Sequence, residues 1–270
     1  MNFYKEKDIQ NIKSYKFDFI ELDETDHVFT VTLNRPKKKN ALHPQMINEI
    51  AFAFQYAFYN NNIRAVLLKS NGDVFCSGMD LKALAGDIEK NNSTIPEPNS
   101  KILIGELFNK LYKPKICQLN GDVYAGGILL VAGCNYVIST KNIKLGLPEV
   151  KRGIFPMQVM ESLSKIISIR NVIAWCVRGY NLDVSIAKKW GLVSRVVKKE
   201  VLENETQKWL MEVTSNSPTA IRLGLEALDK INSSELNHLY LSEMLEKVLN
   251  SADAKEGINA FKNKRTPDWK

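Results

Sequence analysis

The sequence lacks long apolar runs, paired cysteines and clustered histidines. No stretch of about 18 apolar residues occurs, so no transmembrane helix is expected. Residues 1–16 are polar and mixed in charge, unlike a secretory signal, and we therefore expect a cytoplasmic protein. The four cysteines are far apart and only three histidines occur, so no metal site is expected.

Sequence motifs of the common nucleotide-binding and hydrolase sites are also missing. No GxxxxGK[ST] segment occurs, which excludes a P-loop. No GxGxxG segment follows a predicted strand, and there is no GxSxG segment. These absences argue against a dinucleotide-binding fold and a hydrolase nucleophile elbow.

Negative charge is in the minority, because 37 Lys and Arg residues face 30 Asp and Glu residues, for a net charge of +7. This excess favours acidic partners such as phosphate groups, nucleic acid or an acidic carrier protein. The only triple run of lysines, 37–39, follows Pro36 and is either a solvated turn or a phosphate contact. It lacks interleaved aromatic residues, which argues against nucleic acid as a partner.

Apolar periodicity predicts alternating strands and helices followed by helices alone. Segments 17–22 and 28–33 predict a hairpin, and short apolar runs predict buried strands near 65–69, 116–119, 136–139 and 193–197. Helices are predicted from Pro44, at 102–111, over most of 157–190 and beyond 200. The pattern predicts an α/β core over 1–199 and a helical region over 200–270, although the break near 198–200 could be an ordinary loop.

Three segments combine glycine with a strand-to-helix transition: 75–81, 120–127 and 146–149. Glycine lets a ligand approach the backbone closely, and the first N–H groups of a helix have no partner within it. Such groups can stabilise a developing oxyanion, but tight helix packing would explain the same glycines. Asp80 can also be interpreted as the N-cap of a helix that begins at Leu81.

Glu149 is a candidate acid or base because it follows Pro148 in an apolar neighbourhood. Burial would raise the pKa of its carboxyl group and make it a better base near neutral pH. An ion pair with Lys151 or Arg152 is the alternative interpretation.

Taken in order, these segments resemble the crotonase superfamily, the enoyl-CoA hydratase/isomerase family. The resemblance extends along nearly the whole chain, through segments 31–36, 40–42, 75–81, 120–127, 146–156, 187–193 and 257–265. It implies a crotonase-like spiral of ββα units, followed by a C-terminal helical trimerisation region. A homotrimer or a dimer of trimers is therefore expected.

The resemblance also implies a role for each site residue. The N–H groups of Met79 and Gly126 would form the oxyanion hole for a thioester carbonyl, and Glu149 would be the catalytic carboxylate. The remaining implied substrate-binding residues are Phe75, Ser77, Gly78, Asp80, Gly127, Leu129, Phe261 and Lys264. No cofactor is implied, because coenzyme A or a carrier-protein thioester is part of the substrate.

The sequence departs from the family at Leu129. Hydratases of this family have a second glutamate on the helix after the glycines, where this chain has an alkyl side chain that cannot activate water. A single glutamate still supports double-bond isomerisation or hydratase-like chemistry. The alternatives are a dehydratase or decarboxylase of branched acyl groups on an acyl carrier protein, and a non-catalytic protein that binds RNA or another partner. Asp122 and Tyr124 are either loop residues or substitutes for the missing acid.

Overall fold

The strands form two β-sheets, and the computed structural model describes residues 2–108, 110–232, 247 and 250–268. The larger sheet contains, in spatial order, β1 (Ile20–Thr25), β2 (Val28–Leu33), β3 (Ala65–Ser70), β5 (Lys115–Leu119), β7 (Tyr136–Thr140) and β10 (Arg195–Val197). The smaller sheet contains β4 (Val74–Cys76), β6 (Asp122–Tyr124), β8 (Lys144–Gly146) and β9 (Asn181–Asp183). Among these strands, only the pairs β1–β2 and β8–β9 are antiparallel.

From β3 to β8, successive strands alternate between the two sheets. β3 is followed by β4 and the helix α3 (Leu81–Leu84), and β5 is followed by β6 and the helix α4 (Gly127–Ala132). β7 and β8 repeat the pattern, ending in a 3-10 turn at Glu149–Arg152. Because β4, β6 and β8 are parallel, the segments that follow these three strands all begin at the same edge of the small sheet. This arrangement confirms the predicted α/β class built from ββα units.

The first two strands form the predicted hairpin, with a tight two-residue connection. Thr25 pairs with Val28, and Asp26 and His27 between them both have positive φ, 49° and 66°. Two consecutive positive φ angles characterise the type I′ turn, whose twist matches that of the strands. The first strand begins at Ile20, three residues later than predicted.

The central strands have apolar residues on both faces because helices cover both. Val66 and Leu68 of β3 belong to the main core, whereas Ala65 and Leu67 face a second cluster that includes Leu210. Leu210 lies on a helix of the C-terminal region, which therefore covers the outer face of the sheet. A strand buried on both faces is continuously apolar rather than alternating.

The remaining helices are α1 (Glu6–Ile9), α2 (Pro44–Tyr59), α5 (Met157–Ser164), α6 (Ile169–Arg178), α7 (Val184–Trp190), α8 (Leu202–Thr214), α9 (Pro218–Asn232) and α10 (Ala252–Lys262). The helix predicted at 102–111 was wrong: the structure has a 3-10 turn at Ile104–Glu106 there. Ile104 and Leu107 are nevertheless buried in the core, because tertiary packing buries these apolar side chains without a helix. The described residues contain no helix long and apolar enough to cross a membrane.

Candidate active site

The turn after β4 brings a backbone N–H group, that of Met79, towards the start of α4. Gly78 has a φ of 90°, and a Cβ atom there would lie 2.7 Å from the Cβ of Ala125, so only glycine fits. Leu42 pairs with this turn, donating its N–H to the Gly78 carbonyl (2.8 Å) and accepting from the N–H of Asp80 (3.1 Å). The N–H of Met79 has no hydrogen-bond partner in the described part of the chain.

Gly126 stands directly before α4 and faces the same turn. Ala125 adopts a left-handed conformation (φ 50°) and donates its N–H to the carbonyl of Gly146 (2.8 Å). A Cβ atom on Gly126 would lie 3.8 Å from the backbone nitrogen of Met79. The N–H of Gly126, like that of Met79, has no partner within the described residues. The two predicted oxyanion-hole groups thus belong to adjoining turns.

Glu149 reaches the same region from the third ββα unit. It opens the 3-10 turn after β8, and its carbonyl accepts the N–H of Ile154 (3.1 Å). The helix α6 packs against this turn, with the thiol of Cys176 near the carboxylate. Burial, and secondarily the negative charge of Glu149, raise the pKa of the Cys176 thiol to about 11. Cys176 therefore remains a neutral neighbour of the carboxylate at neutral pH.

One cavity of about 640 Å³ has Met79, Gly126 and Glu149 in its wall. Its other lining residues are Arg35, Lys38, Ala41, Ser77, Asp80, Leu81, Lys82, Asp87, Glu89, Ala125 and Ile154. Two N–H donors and a carboxylate in one cavity are the groups needed to polarise a carbonyl and to move a proton beside it.

A buried arginine, Arg35, organises the charged wall of the cavity. Its guanidinium group donates to the carboxylate of Asp80 (2.7 Å), to the carboxylate of Glu89 and to the carbonyl of Ala41 (3.1 Å). The hydrogen bond from Arg35 holds the pKa of Glu89 below its usual value. Burial opposes ionisation of Asp80, but Arg35 and two backbone N–H groups outweigh it and lower the pKa of that carboxyl group.

Asp80 is also the N-cap of α3, accepting the N–H groups of Lys82 (3.1 Å) and Ala83 (3.4 Å). The N-cap interpretation made from the sequence is therefore confirmed. Asp80 nevertheless lies in the cavity wall, so capping and proximity to a ligand are compatible.

Several other predicted site residues are absent from the described cavity wall. Phe75 is fully buried in β4, and Leu129 is 4% exposed in α4. Gly127 is packed so tightly that a Cβ atom there would lie 2.8 Å from the Cβ of Cys76. Lys264 is exposed in the turn after α10, and the side chain of Phe261 lies outside the described residues. The substrate-binding roles of these residues stay predictions.

Asp122 and Tyr124, the possible substitutes for a missing acid, are engaged with each other. They belong to β6 rather than to a loop, and the Tyr124 hydroxyl donates to the Asp122 carboxylate (2.8 Å). Asp122 also accepts the N–H of Lys144 (2.8 Å). Burial and the bond to Asp122 raise the pKa of Tyr124 to about 12. These contacts favour a structural role for the pair.

Sequence reasoning did not identify Arg35, Lys82, Asp87 or Glu89 as site residues. The segment Asn34-Arg35-Pro36 was a signal for the first of these, since it was one of the segments that carried the resemblance. Asp87 and Glu89 reach the cavity through a long irregular loop, for which no sequence pattern gives a position. Within the described residues, no group of three or more His, Cys, Asp or Glu side chains could hold a metal ion.

Known proteins are similar to this chain over most of its length. The family model described as enoyl-CoA hydratase/isomerase matches residues 23–270. A probable mitochondrial enoyl-CoA hydratase of Dictyostelium discoideum is 30% identical over 92% of this chain and 89% of its own length. A mevalonyl-coenzyme A hydratase of Aspergillus fumigatus is 28% identical over 91% and 92%, respectively.

Solved structures show the same similarity. An enoyl-CoA hydratase from Mycobacterium tuberculosis superimposes with a TM-score of 0.83 at 25% identity, covering 94% of this chain and 99% of that one. An enoyl-CoA hydratase from Bacillus anthracis gives a TM-score of 0.80 at 27% identity, covering 93% and 99%.

Proposed function

The chain belongs to the enoyl-CoA hydratase/isomerase family, and from that premise we propose that it is an enzyme that stabilises the enolate of an acyl-CoA thioester, with Glu149 as its single acid and base. The observation that supports this proposal most strongly is that Met79, Gly126 and Glu149 line one cavity. The thioester carbonyl would accept hydrogen bonds from the N–H groups of Met79 and Gly126. Charge that develops on its oxygen would then be stabilised by donors already in position.

In the proposed reaction, the Glu149 carboxylate removes a proton from one carbon of the acyl chain. The electron pair of that C–H bond moves into the thioester and forms the enolate. When the acyl chain has a double bond between its β and γ carbons, the enolate is conjugated with it. Return of the proton to the γ carbon then moves the double bond between the α and β carbons and completes an isomerisation, for which one carboxylate is sufficient. The alkyl side chain of Leu129 provides no second acid or base. It therefore argues against addition of water by two carboxylates and supports isomerase or hydratase-like chemistry that uses one.

Proton exchange tests the proposal directly. Crotonyl-CoA, butanoyl-CoA and a branched 3-hydroxyacyl-CoA would be incubated with the protein in D₂O, and deuterium at the α and γ carbons measured by NMR. The branched substrate is included because one relative is named a mevalonyl-coenzyme A hydratase. Matched pantetheine thioesters on an acyl carrier protein would show whether a carrier-bound substrate is preferred.

We expect Glu149→Gln to slow the exchange by about 10²- to 10⁴-fold, the usual contribution of a general base, with thioester affinity nearly unchanged. Glu161→Gln is the matched control, because Glu161 is an exposed carboxylate on α5 paired with Lys165 (2.5 Å). Exchange that survives Glu149→Gln would refute the assignment of the base. Absence of exchange on every thioester, together with salt-dependent RNA binding, would favour the non-catalytic alternative.

A further inference from the structure

An N-terminal arm, residues 2–19, precedes the segment matched by the family model, which begins at residue 23. The arm is packed against α2 rather than extended into solvent. Tyr4 is 1% exposed, and the Gln55 side chain on α2 accepts its N–H (3.0 Å) and donates to its carbonyl (2.9 Å). The start of the arm is therefore fixed to the core of the protein.

A buried carboxylate fixes the other end of the arm. Glu49 on α2 is 0% exposed, and its carboxylate accepts the N–H groups of Asp18 (2.8 Å), Phe19 (2.9 Å) and Ile20 (3.1 Å). Hydrogen bonds to a charged acceptor are stronger than those between neutral groups. The backbone around Asp18 is thus held rigidly where the arm enters β1.

The arm in turn holds the irregular loop 86–100. The N–H of Lys16 donates to the hydroxyl of Thr94 (2.8 Å), and the N–H of Thr94 donates to the carbonyl of Lys16 (3.0 Å). The N–H of Asn92 donates to the carboxylate of Asp18 (3.0 Å). A loop without regular structure needs such external partners for its backbone groups.

The other half of the same loop forms part of the cavity wall. Asp87 and Glu89 line the cavity, and the Glu89 carboxylate binds the Arg35 guanidinium. Arg35 also binds Asp80, the residue after Met79. A continuous series of contacts therefore connects the arm to the turn that presents the N–H of Met79.

We propose that Lys16 and Asp18 of the arm are positioning residues for the thioester cavity: by fixing residues 92–94, they keep Asp87 and Glu89 in the cavity wall. This inference rests on the proposed function, because it concerns the same cavity. Release of the loop lowers the fraction of molecules whose cavity wall is complete. The apparent affinity for the thioester falls in proportion to that fraction.

The test combines Asp18→Ala with Thr94→Val, which removes two acceptors at partly or fully exposed positions without touching the core. Hydrogen exchange measured by mass spectrometry should be about tenfold faster over 86–100, as expected for the loss of two hydrogen bonds of modest strength. The Kd for butanoyl-CoA, measured by calorimetry, and the KM of any thioester turned over should rise by up to about tenfold, with kcat changed little.

Ser14→Ala is the matched control, because the Ser14 hydroxyl donates within the arm, to the carbonyl of Asn11 (2.7 Å). Glu89→Gln should weaken thioester binding similarly while leaving exchange over 91–99 slow. Unchanged loop exchange in the double variant, or faster exchange with unchanged Kd and KM, would overturn the inference. Wild-type protein that binds no thioester would instead overturn the proposed function, and loop exchange would still report whether the arm holds the loop.

Discussion

Gly126 and Gly127 are neighbours in the sequence, but their Cα atoms face different surroundings. Gly126 lines the cavity, and the atoms nearest to an added Cβ would be 3.6 Å away, an ordinary van der Waals distance. Gly127 lies against Cys76 and Val123, within 2.8 Å and 3.0 Å of an added Cβ. The two interpretations of these glycines made from the sequence, ligand approach and tight packing, thus apply to different residues of the pair.

This difference predicts opposite results for two alanine substitutions. Gly127→Ala should lower the free energy of unfolding by about 1–3 kcal/mol, because the methyl group forces β4 and α4 apart. Gly126→Ala should leave stability nearly unchanged, since the helical φ of −55° suits alanine, but should reduce thioester turnover by narrowing the cavity. Urea denaturation and turnover of both variants would check this. Equal destabilisation by the two substitutions would contradict it.

Among the elements, α2 begins with an unusual cap. The Nδ1 atom of His43 accepts the N–H of Gln45 (3.1 Å), which requires that nitrogen to be unprotonated. Burial, and then the positive charge of Arg35, lower the pKa of His43. The folded state therefore binds a proton less readily than the unfolded chain does.

The free energy of unfolding should consequently fall as the pH drops below about 6.5, where the unfolded histidine becomes protonated. His43→Asn keeps a good capping residue but cannot titrate, so its stability should depend less on pH between 5 and 8. His43→Ala should cost about 1 kcal/mol near pH 8 through loss of the cap, and this cost should shrink as the pH falls, because the wild type loses stability there and alanine does not titrate. Chemical denaturation as a function of pH would show both effects; a His43→Asn profile as steep as that of the wild type would argue against this account.

The element predicted at 102–111 shows the limit of periodicity. Its apolar residues recur at helical spacing, yet the chain forms only a short turn there. Periodicity indicates which side chains become buried, but it does not determine the backbone conformation. Here the apolar side chains are buried by packing against other elements. The strand β9 was missed inside the segment 157–190 for a related reason, because three residues are too few to show alternation.

For the whole molecule, an exposed apolar stripe supports the proposal that copies of the chain associate. Ile169, Ile173 and Val177 recur every four residues along α6 and are 58%, 55% and 58% exposed. Apolar side chains clustered on one exposed helix face are typical of an interaction surface. This surface would be additional to the trimerisation region that the family resemblance implies for 200–270.

Light scattering should therefore give a mass of three or six chains for the wild type. Ile173→Glu places a charge within the stripe and should reduce that mass, whereas Gln10→Glu, the same charge change at the exposed C-terminal end of α1, should not. A monomeric wild-type protein would contradict the proposed assembly, and an unchanged mass for Ile173→Glu would place the interface elsewhere.

The sequence by itself determined the fold class, the buried strands and the segments that carry Met79, Gly126 and Glu149. It could do so because glycine at a strand-to-helix transition and continuous apolar runs are local features of the chain. Only the tertiary structure decided which of two adjacent glycines faces the cavity, that Asp80 is shared between α3 and Arg35, and that Asp87 and Glu89 reach the cavity wall. Those relationships depend on distances between segments far apart in the sequence, and such distances are fixed only when the sheets pack and the arm holds the loop.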